Sequence, residues 1–285
     1  MDKSLDTVTH THTHTDIRLG DILEQIKTIE NESIDLVVTD CPYHIVSGGC
    51  SNGAYGNHKE PGGIFERRIT GKNKSGHILE GTKHIALFGI LNDNDATTYA
   101  RQGKLFKHNE IKFNEWLPEI FRVLKQNTHC YIYINPRNLK ELQIEAEKVG
   151  FKYQQLIVWK KNNATPNKYY LNSYELILML RKGNAKNINN LGTKNILEVN
   201  NILGGKKTHP TEKPVELNKI LIENSTDEGD IVLDCFMGTG SSGVACKKLN
   251  RDFIGIEIDE KYYSIAKERI ENTGKLEQLN LFKGD

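Results

Sequence analysis

The stretch DIVLDCFMGTGSSG, residues 230–243, constrains this chain more than any other part of its 285 residues. Its apolar start has the pattern of a short strand. The glycines that follow let the backbone turn sharply and come close to a ligand before the helix VACKKLN begins. A second strand, DFIGIEID, and a second helix, YYSIAKERIENT, complete a β-loop-α-β-α unit. Such a unit needs a sheet to join and helices to cover it, so the rest of the chain is expected to supply both.

The first third has the same rhythm. IRLGD is expected as a strand, ILEQIKTIENES as a helix with Ile22, Ile26 and Ile29 apolar, and IDLVVTD as a central strand. Residues 1–15 are Thr/His-rich, with His10, His12 and His14 alternating, and are expected as a flexible tail. The rhythm breaks over 44–110, which is rich in Gly, His, Asn and Lys and too long for a plain connection. That segment is an insertion carrying its own small structure, a lid or substrate-binding element, or a tolerated surface loop. Order resumes with the helix FNEWLPEIFRVLKQN, the strand THCYIYIN and the helix LKELQIEAEKVG, which ends at Gly150. QQLIVWKK and YELILMLRKG then suit an antiparallel pair at a sheet edge, followed by a polar, basic stretch, 183–207, of little periodicity. The expected architecture is α/β: a doubly wound, mostly parallel sheet in one domain, 16–285, with an antiparallel edge hairpin and an inserted region.

Composition narrows the setting. Hydrophobic residues make up 37% and charged residues 26%, which is ordinary for a globular chain and excludes wholesale disorder. No apolar run reaches membrane-spanning length and the N-terminus lacks a secretory apolar core, so the expectation by default is a cytoplasmic protein away from membranes. Five cysteines at 41, 50, 130, 235 and 246 show no zinc-ligand spacing and fit reduced thiols. The formal net charge is only +1, yet ten Lys or Arg face three acids between Lys160 and Lys213. A local basic stretch of that kind can contact phosphates, or simply be a solvated loop.

Gly238, Gly240 and Gly243 satisfy GxGxxG, and Glu257 ends the next strand where it could bind ribose hydroxyls. Taken alone these suggest a dinucleotide and an NAD-linked oxidoreductase. Three features point elsewhere. Asp234 ends the strand, where a carboxylate could hold an ammonium group instead of repelling a pyrophosphate. Phe236 and Met237 crowd the turn before its first glycine, and the other half of the chain carries Asp40-Cys-Pro-Tyr43 at a strand's carboxyl end, which a dehydrogenase does not need.

Asp40-Cys41-Pro42-Tyr43 resembles the (D/N/S)PPY motif of amino methyltransferases, and Asp234 to Gly240 resembles their DxFxGxG cofactor loop. His209-Pro-Thr-Glu-Lys-Pro214 resembles their HPTxKP segment. The order, catalytic motif first and cofactor loop last, is similar to the β class of DNA amino methyltransferases, with the resemblance running from about Arg18 to Asn272 outside the insertion. It implies a Rossmann-like methyltransferase sheet and S-adenosylmethionine as cofactor. Asp234, Phe236, Gly238 and Gly240 would then line the cofactor site, with Glu257 on the ribose hydroxyls. Ser241, Ser242, Thr211 and Lys213 would lie around the methionine portion, and Asp21 near the adenine unless it is only a helix N-cap. Double-stranded DNA would be the partner, and the family admits a homodimer and a cognate restriction enzyme.

The chemistry of the first motif follows from its residue types. An exocyclic amine on an aromatic base is a poor nucleophile because its lone pair is delocalised into the ring. Two acceptors aimed at its N–H bonds, the Asp40 carboxylate and a backbone carbonyl of the turn, favour a pyramidal nitrogen facing the methyl donor. Pro42 fixes the turn and removes a competing N–H, and Tyr43 can stack on the base. Positioning of nitrogen, methyl and sulfur in line is then worth up to ~7–11 kcal/mol, and no metal is required. The base must be flipped from the duplex at a cost of a few kcal/mol. Lys160, Lys161, Asn162, Lys206 and Lys207, with the 181–208 segment and the insertion, are the candidate DNA contacts that offset this cost. Trp159 and Tyr169-Tyr170 are candidate stacking residues or core and rim packing, and Asn162, Asn163 and Asn167 could hydrogen-bond a flipped base or merely shape turns. The family usually has proline where this chain has Cys41, which keeps the carbonyl but adds an N–H and backbone freedom. Asp40 favours adenine N6 as the acceptor. Cytosine N4 is the alternative, and a catalytically weak DNA-binding module of the same fold is a third reading.

Overall fold

A computed structural model describes residues 13–42, 65–72, 78–85, 111–165, 169–202 and 212–273. In chain order the elements are β1 (Thr15–Leu19), α1 (Ile22–Gln25) with a 3-10 turn (Ile26–Thr28), β2 (Ile34–Asp40), β3 (Phe65–Lys72), β4 (Ile78–Ile85), α2 (Phe113–Val123), β5 (Leu124–Ile134) and α3 (Leu139–Val149). They continue with β6 (Lys152–Thr165), β7 (Asn172–Arg181), β8 (Ile196–Glu198), α4 (Val215–Ser225), β9 (Ile231–Asp234), α5 (Ser241–Lys248), β10 (Asp252–Glu257) and α6 (Glu260–Asn272).

Eight strands form one sheet in the order β1-β10-β9-β2-β5-β7-β6-β8. The first five in that order are mutually parallel, β7 is antiparallel to β5 and to β6, and β8 is parallel to β6. The continuous apolar runs are explained by burial on both faces. On β5, Cys130, Ile132 and Ile134 enter one core while Tyr131 and Tyr133 enter the other; on β7, Leu176, Leu178 and Leu180 oppose Ile177 and Met179. Residues from α1, α2 and α3 close the first core, and α4, α5 and α6 close the second. The expected doubly wound sheet is present.

From β9 the chain proceeds to β10 on one side, and from β2 to β5 on the other, with the connecting helices on opposite faces. The boundary between β9 and β2 is therefore the topological switch point, where open α/β sheets bind ligands beyond the carboxyl ends of their strands. Asp40 and Asp234 are the last residues of those two strands.

Several elements differ from the sequence reading. The antiparallel hairpin is not the edge, because β8 pairs outside it through Val158↔Ile196, Trp159↔Leu197 and Lys160↔Glu198. Three residues are too few to show periodicity. β5 starts at Leu124, taking LKQN from the expected helix, and the first helix unwinds into the 3-10 turn after one turn. β1 includes Thr15, paired with Phe253, so order reaches into the expected tail, whose residues 1–12 lie outside the described set. Within 44–110, the described residues are β3 and β4, an antiparallel pair from Phe65↔Ile85 to Lys72↔Ile78. No helix among the described residues is long and apolar enough to cross a membrane.

Candidate active site

The two motifs meet. Register pairs Leu36 with Val232 and Val37 with Leu233, and beyond those pairs the Thr39 hydroxyl donates to Asp234 Oδ1 at 2.9 Å. Residues almost two hundred positions apart in sequence are thus adjacent strand ends. Asp234 is buried and also receives the Phe236 N–H at 3.1 Å on Oδ1 and the Ser242 hydroxyl at 2.5 Å on Oδ2. Burial outweighs these donors and pushes its carboxyl up to about 6.

The glycine-rich turn is held by its own backbone and by α6. Met237 N–H donates to Ile256 O and Gly240 N–H to Met237 O. Gly240 has φ +77°, and a side chain there would meet Ala266, so the closeness of α6 as well as the turn requires glycine. Gly243 packs against Ile270 and the Phe253 ring, which leaves no room for a Cβ. At Gly238, by contrast, a Cβ would meet nothing within 4 Å, so the turn faces open space there. Glu257 Oε2 accepts the Gly238 N–H at 2.8 Å, Oε1 accepts the Asp259 N–H at 2.9 Å, and burial raises its carboxyl to about 7. Phe236 meets Trp116 edge-to-face, with centroids 5.4 Å apart.

These features fit S-adenosylmethionine. Two desolvated acids flank an opening at glycine backbone, suiting an ammonium group and vicinal hydroxyls. The Ser241 hydroxyl at the start of α5 is buried without a hydrogen-bond partner, a donor that a ligand carboxylate would satisfy. Asp21 caps α1, accepting the Leu23 N–H at 2.8 Å, which realises the capping alternative. Thr211 lies outside the described residues.

On the catalytic side, Asp40 Oδ2 lies 2.5 Å from Lys213 Nζ. Lys213, expected around the methionine portion, therefore faces the first motif, and it also lies 3.3 Å from Glu175 Oε2 and 5.2 Å from the centroid of the Tyr133 ring. Its neighbour Glu212 pairs with Arg269 at 2.8 Å, and Arg269 donates to Thr239 O in the cofactor turn at 2.8 Å. One short segment thus ties both motifs together. Cys41 is buried, with its Sγ 3.8 Å from Tyr133 O, and burial raises its thiol well above the ordinary value. It anchors the turn to β5 and is no nucleophile. Pro42 is half-buried, and Tyr43 lies outside the described residues.

The described residues of the basic stretch do not form one surface. Lys160 pairs with Glu198, Lys161 with Glu175, and Lys186 with Asp227, while Lys182 is buried on the carbonyls of Phe121 and Leu124. Residues 182–195 return along the end of the sheet away from Asp40, because β7 runs antiparallel to β5 and ends at Arg181 opposite His129. Only from β8 does the chain climb toward the catalytic end. Asn162 and Asn163 accept from Asn201, so they shape this return, and Trp159 is buried with its Nε1 on Val199 O. Tyr169 and Tyr170 are exposed at the hairpin tip. Lys206, Lys207 and Asn167 lie outside the described residues. A cavity of about 240 Å³ lined by His129, Gln155, Lys186 and Asn224 takes part of its wall from the 181–208 segment and holds none of the expected catalytic or cofactor residues.

Thr39, Glu175, Glu212 and Arg269 were not singled out from sequence. Glu175 carried a usable signal, as the one acid inside the apolar strand YELILML, since a charge there needs a partner.

A family model for DNA methylases of the N6/N4 type matches residues 34–268. The chain belongs to this family. Among its curated relatives, Type II methyltransferase M2.DpnII of Streptococcus pneumoniae is 29% identical over 271 residues, covering 88% of each chain. The solved M1.HpyAVI–SAM complex matches with a TM-score of 0.58 and 24% identity over 90% of this chain and 99% of that one. The cytosine-N4-specific PvuII DNA methyltransferase matches with a TM-score of 0.61 and 15% identity over 91% and 87%. This DNA amino methyltransferase is of the β class, as its motif order implied, and the NAD-linked alternative falls with the family match.

Proposed function

We propose that the chain transfers a methyl group from S-adenosylmethionine to the exocyclic N6 of an adenine flipped out of double-stranded DNA. The observation that carries this reading is the Thr39–Asp234 bond at the switch point, which makes Asp40 and the cofactor turn neighbours. When bound, the cofactor supplies an electrophilic methyl on a sulfonium. Asp234 would hold its ammonium, Glu257 its ribose hydroxyls and Ser241 its carboxylate. Asp40 and a turn carbonyl would accept the two N–H bonds of the amine, with the Cys41 thiol and Pro42 fixing that turn.

Asp40→Ala should lower methyl transfer to DNA by about 100-fold or more while S-adenosylhomocysteine still binds, because it removes an acceptor engaged as the amine reacts. Labelled transfer followed by digestion to nucleosides measures both rate and product. N4-methylcytosine as the sole product would replace adenine by cytosine, and intact transfer by Asp40→Ala would remove the mechanism. The Type II name of M2.DpnII supports a cognate restriction enzyme as partner. A homodimer and a cytoplasmic location complete the proposal, the former read by sedimentation.

A further inference from the structure

Two residues with no assigned part in the reaction extend the Asp40–Lys213 contact into a chain of alternating charges. Lys161 Nζ on β6 lies 2.9 Å from Glu175 Oε1 on β7. The other oxygen of Glu175 lies 3.3 Å from Lys213 Nζ, just ahead of α4, and Lys213 Nζ lies 2.5 Å from Asp40 Oδ2 at the end of β2. Both lysine side chains are nearly closed off, Lys213 at 9% exposure and Lys161 at 10%, and each ammonium lies near an aromatic ring, Tyr133 or Trp159. Burying two ammonium groups is costly unless each is paired, and here each is.

We propose that Lys213, anchored by Glu175, is a positioning residue for methyl transfer: it holds Asp40 Oδ2 and leaves Oδ1 to accept from the target amine. The inference rests on the amino methyltransferase reading and moves Lys213 from the cofactor's methionine portion to the catalytic carboxylate. Asp40 faces Lys213, Glu175, Asp234, Tyr133 and Cys41. Burial and the neighbouring acids favour its neutral form, which would donate a proton where an acceptor is required, and Lys213 opposes them. The four side chains balance in charge, with a carboxylate, Asp40, at the end where positive charge develops on the amine. Lys161 balances the far end and keeps Glu175 from drawing Lys213 away from Asp40.

The test uses the full chain with DNA, single-turnover methyl transfer at saturating S-adenosylmethionine across pH, and calorimetric binding of S-adenosylhomocysteine. Lys213→Met should slow the limiting rate by about 100-fold and move its acid limb to higher pH with cofactor affinity unchanged. Lys213→Arg should recover part of the rate. Glu175→Gln should also slow transfer but move the acid limb the other way, because it removes a negative charge near Asp40. A purely structural role does not give opposite shifts. Weaker cofactor binding by Lys213→Met at an unchanged limiting rate would return Lys213 to the cofactor site and overturn the inference. If Lys213→Met does not fold, the Arg and Gln variants decide: an unmoved acid limb in Glu175→Gln overturns it. Absence of transfer by the unaltered chain would instead overturn the function itself, and this inference with it.

Discussion

Asp234 shows how a single side chain can be legible in type and hidden in state. The sequence places an acid at the end of a strand before a glycine turn, and that suffices to suggest an ammonium ligand. Burial decides how basic it is, opposed in part by the donors Ser242, Thr39 and the Phe236 N–H. Because folding raises its carboxyl from 3.8 to about 6, and that of Glu257 from 4.5 to about 7, the stability these groups contribute is complete below their ordinary values and lost as pH rises through the raised ones. An ammonium-bearing ligand needs the ionised Asp234, so its affinity should rise over the same interval. We therefore expect the thermal shift given by S-adenosylhomocysteine to be larger at pH 8 than at pH 5. Asp234→Asn should weaken this ligand and remove most of its pH dependence, measured by melting curves across pH. A shift that is the same at both pH values would exclude Asp234 as the ammonium ligand.

At the scale of elements, periodicity located most helices and strands because their faces alternate between two cores. Gly150 ends α3 with φ +116°, as its position implied. Boundaries failed where tertiary contacts took over. Lys182 is one such contact, a cation from the basic stretch that is 3% exposed, donates at 2.7 Å to both Phe121 O and Leu124 O, and pairs with Glu32 at 3.1 Å. It satisfies carbonyls at the carboxyl end of α2, where the helix turns straight into β5. Lys182→Met should cost roughly 1.5–3 kcal/mol, since carbonyls lose a charged donor in a buried place. Denaturant unfolding measures this, with methyl transfer at low temperature unaffected. A variant as stable as the parent would show that water replaces the ammonium.

For the whole molecule, the distribution of charge matters more than its sum. Among the described residues, the basic stretch is divided between the two ends of the sheet by the direction of β7, so only part of these residues share an end with Asp40. Lys160, on the hairpin near β8, should face DNA, whereas Lys186, paired with Asp227 beyond the far end of β5, should not. Lys160→Glu is expected to weaken DNA binding and reduce its salt dependence by a slope of about one, while Lys186→Glu changes neither. Titrations at several salt concentrations check this. Equal effects of the two substitutions would mean that DNA wraps both ends.

The sequence by itself determined the family chemistry and the order of most strands and helices, because a glycine turn after a buried strand, a strand-end Asp-Cys-Pro-Tyr and alternating apolar faces are local requirements. It could not determine partners. Whether Lys213 faces the cofactor or Asp40, whether Lys161 meets phosphate or Glu175, and that β8 closes the sheet edge were decided only when the strands crossed over. A charge takes its role from what lies within a few ångströms, and that distance is set by topology, which leaves no spacing to read along the chain.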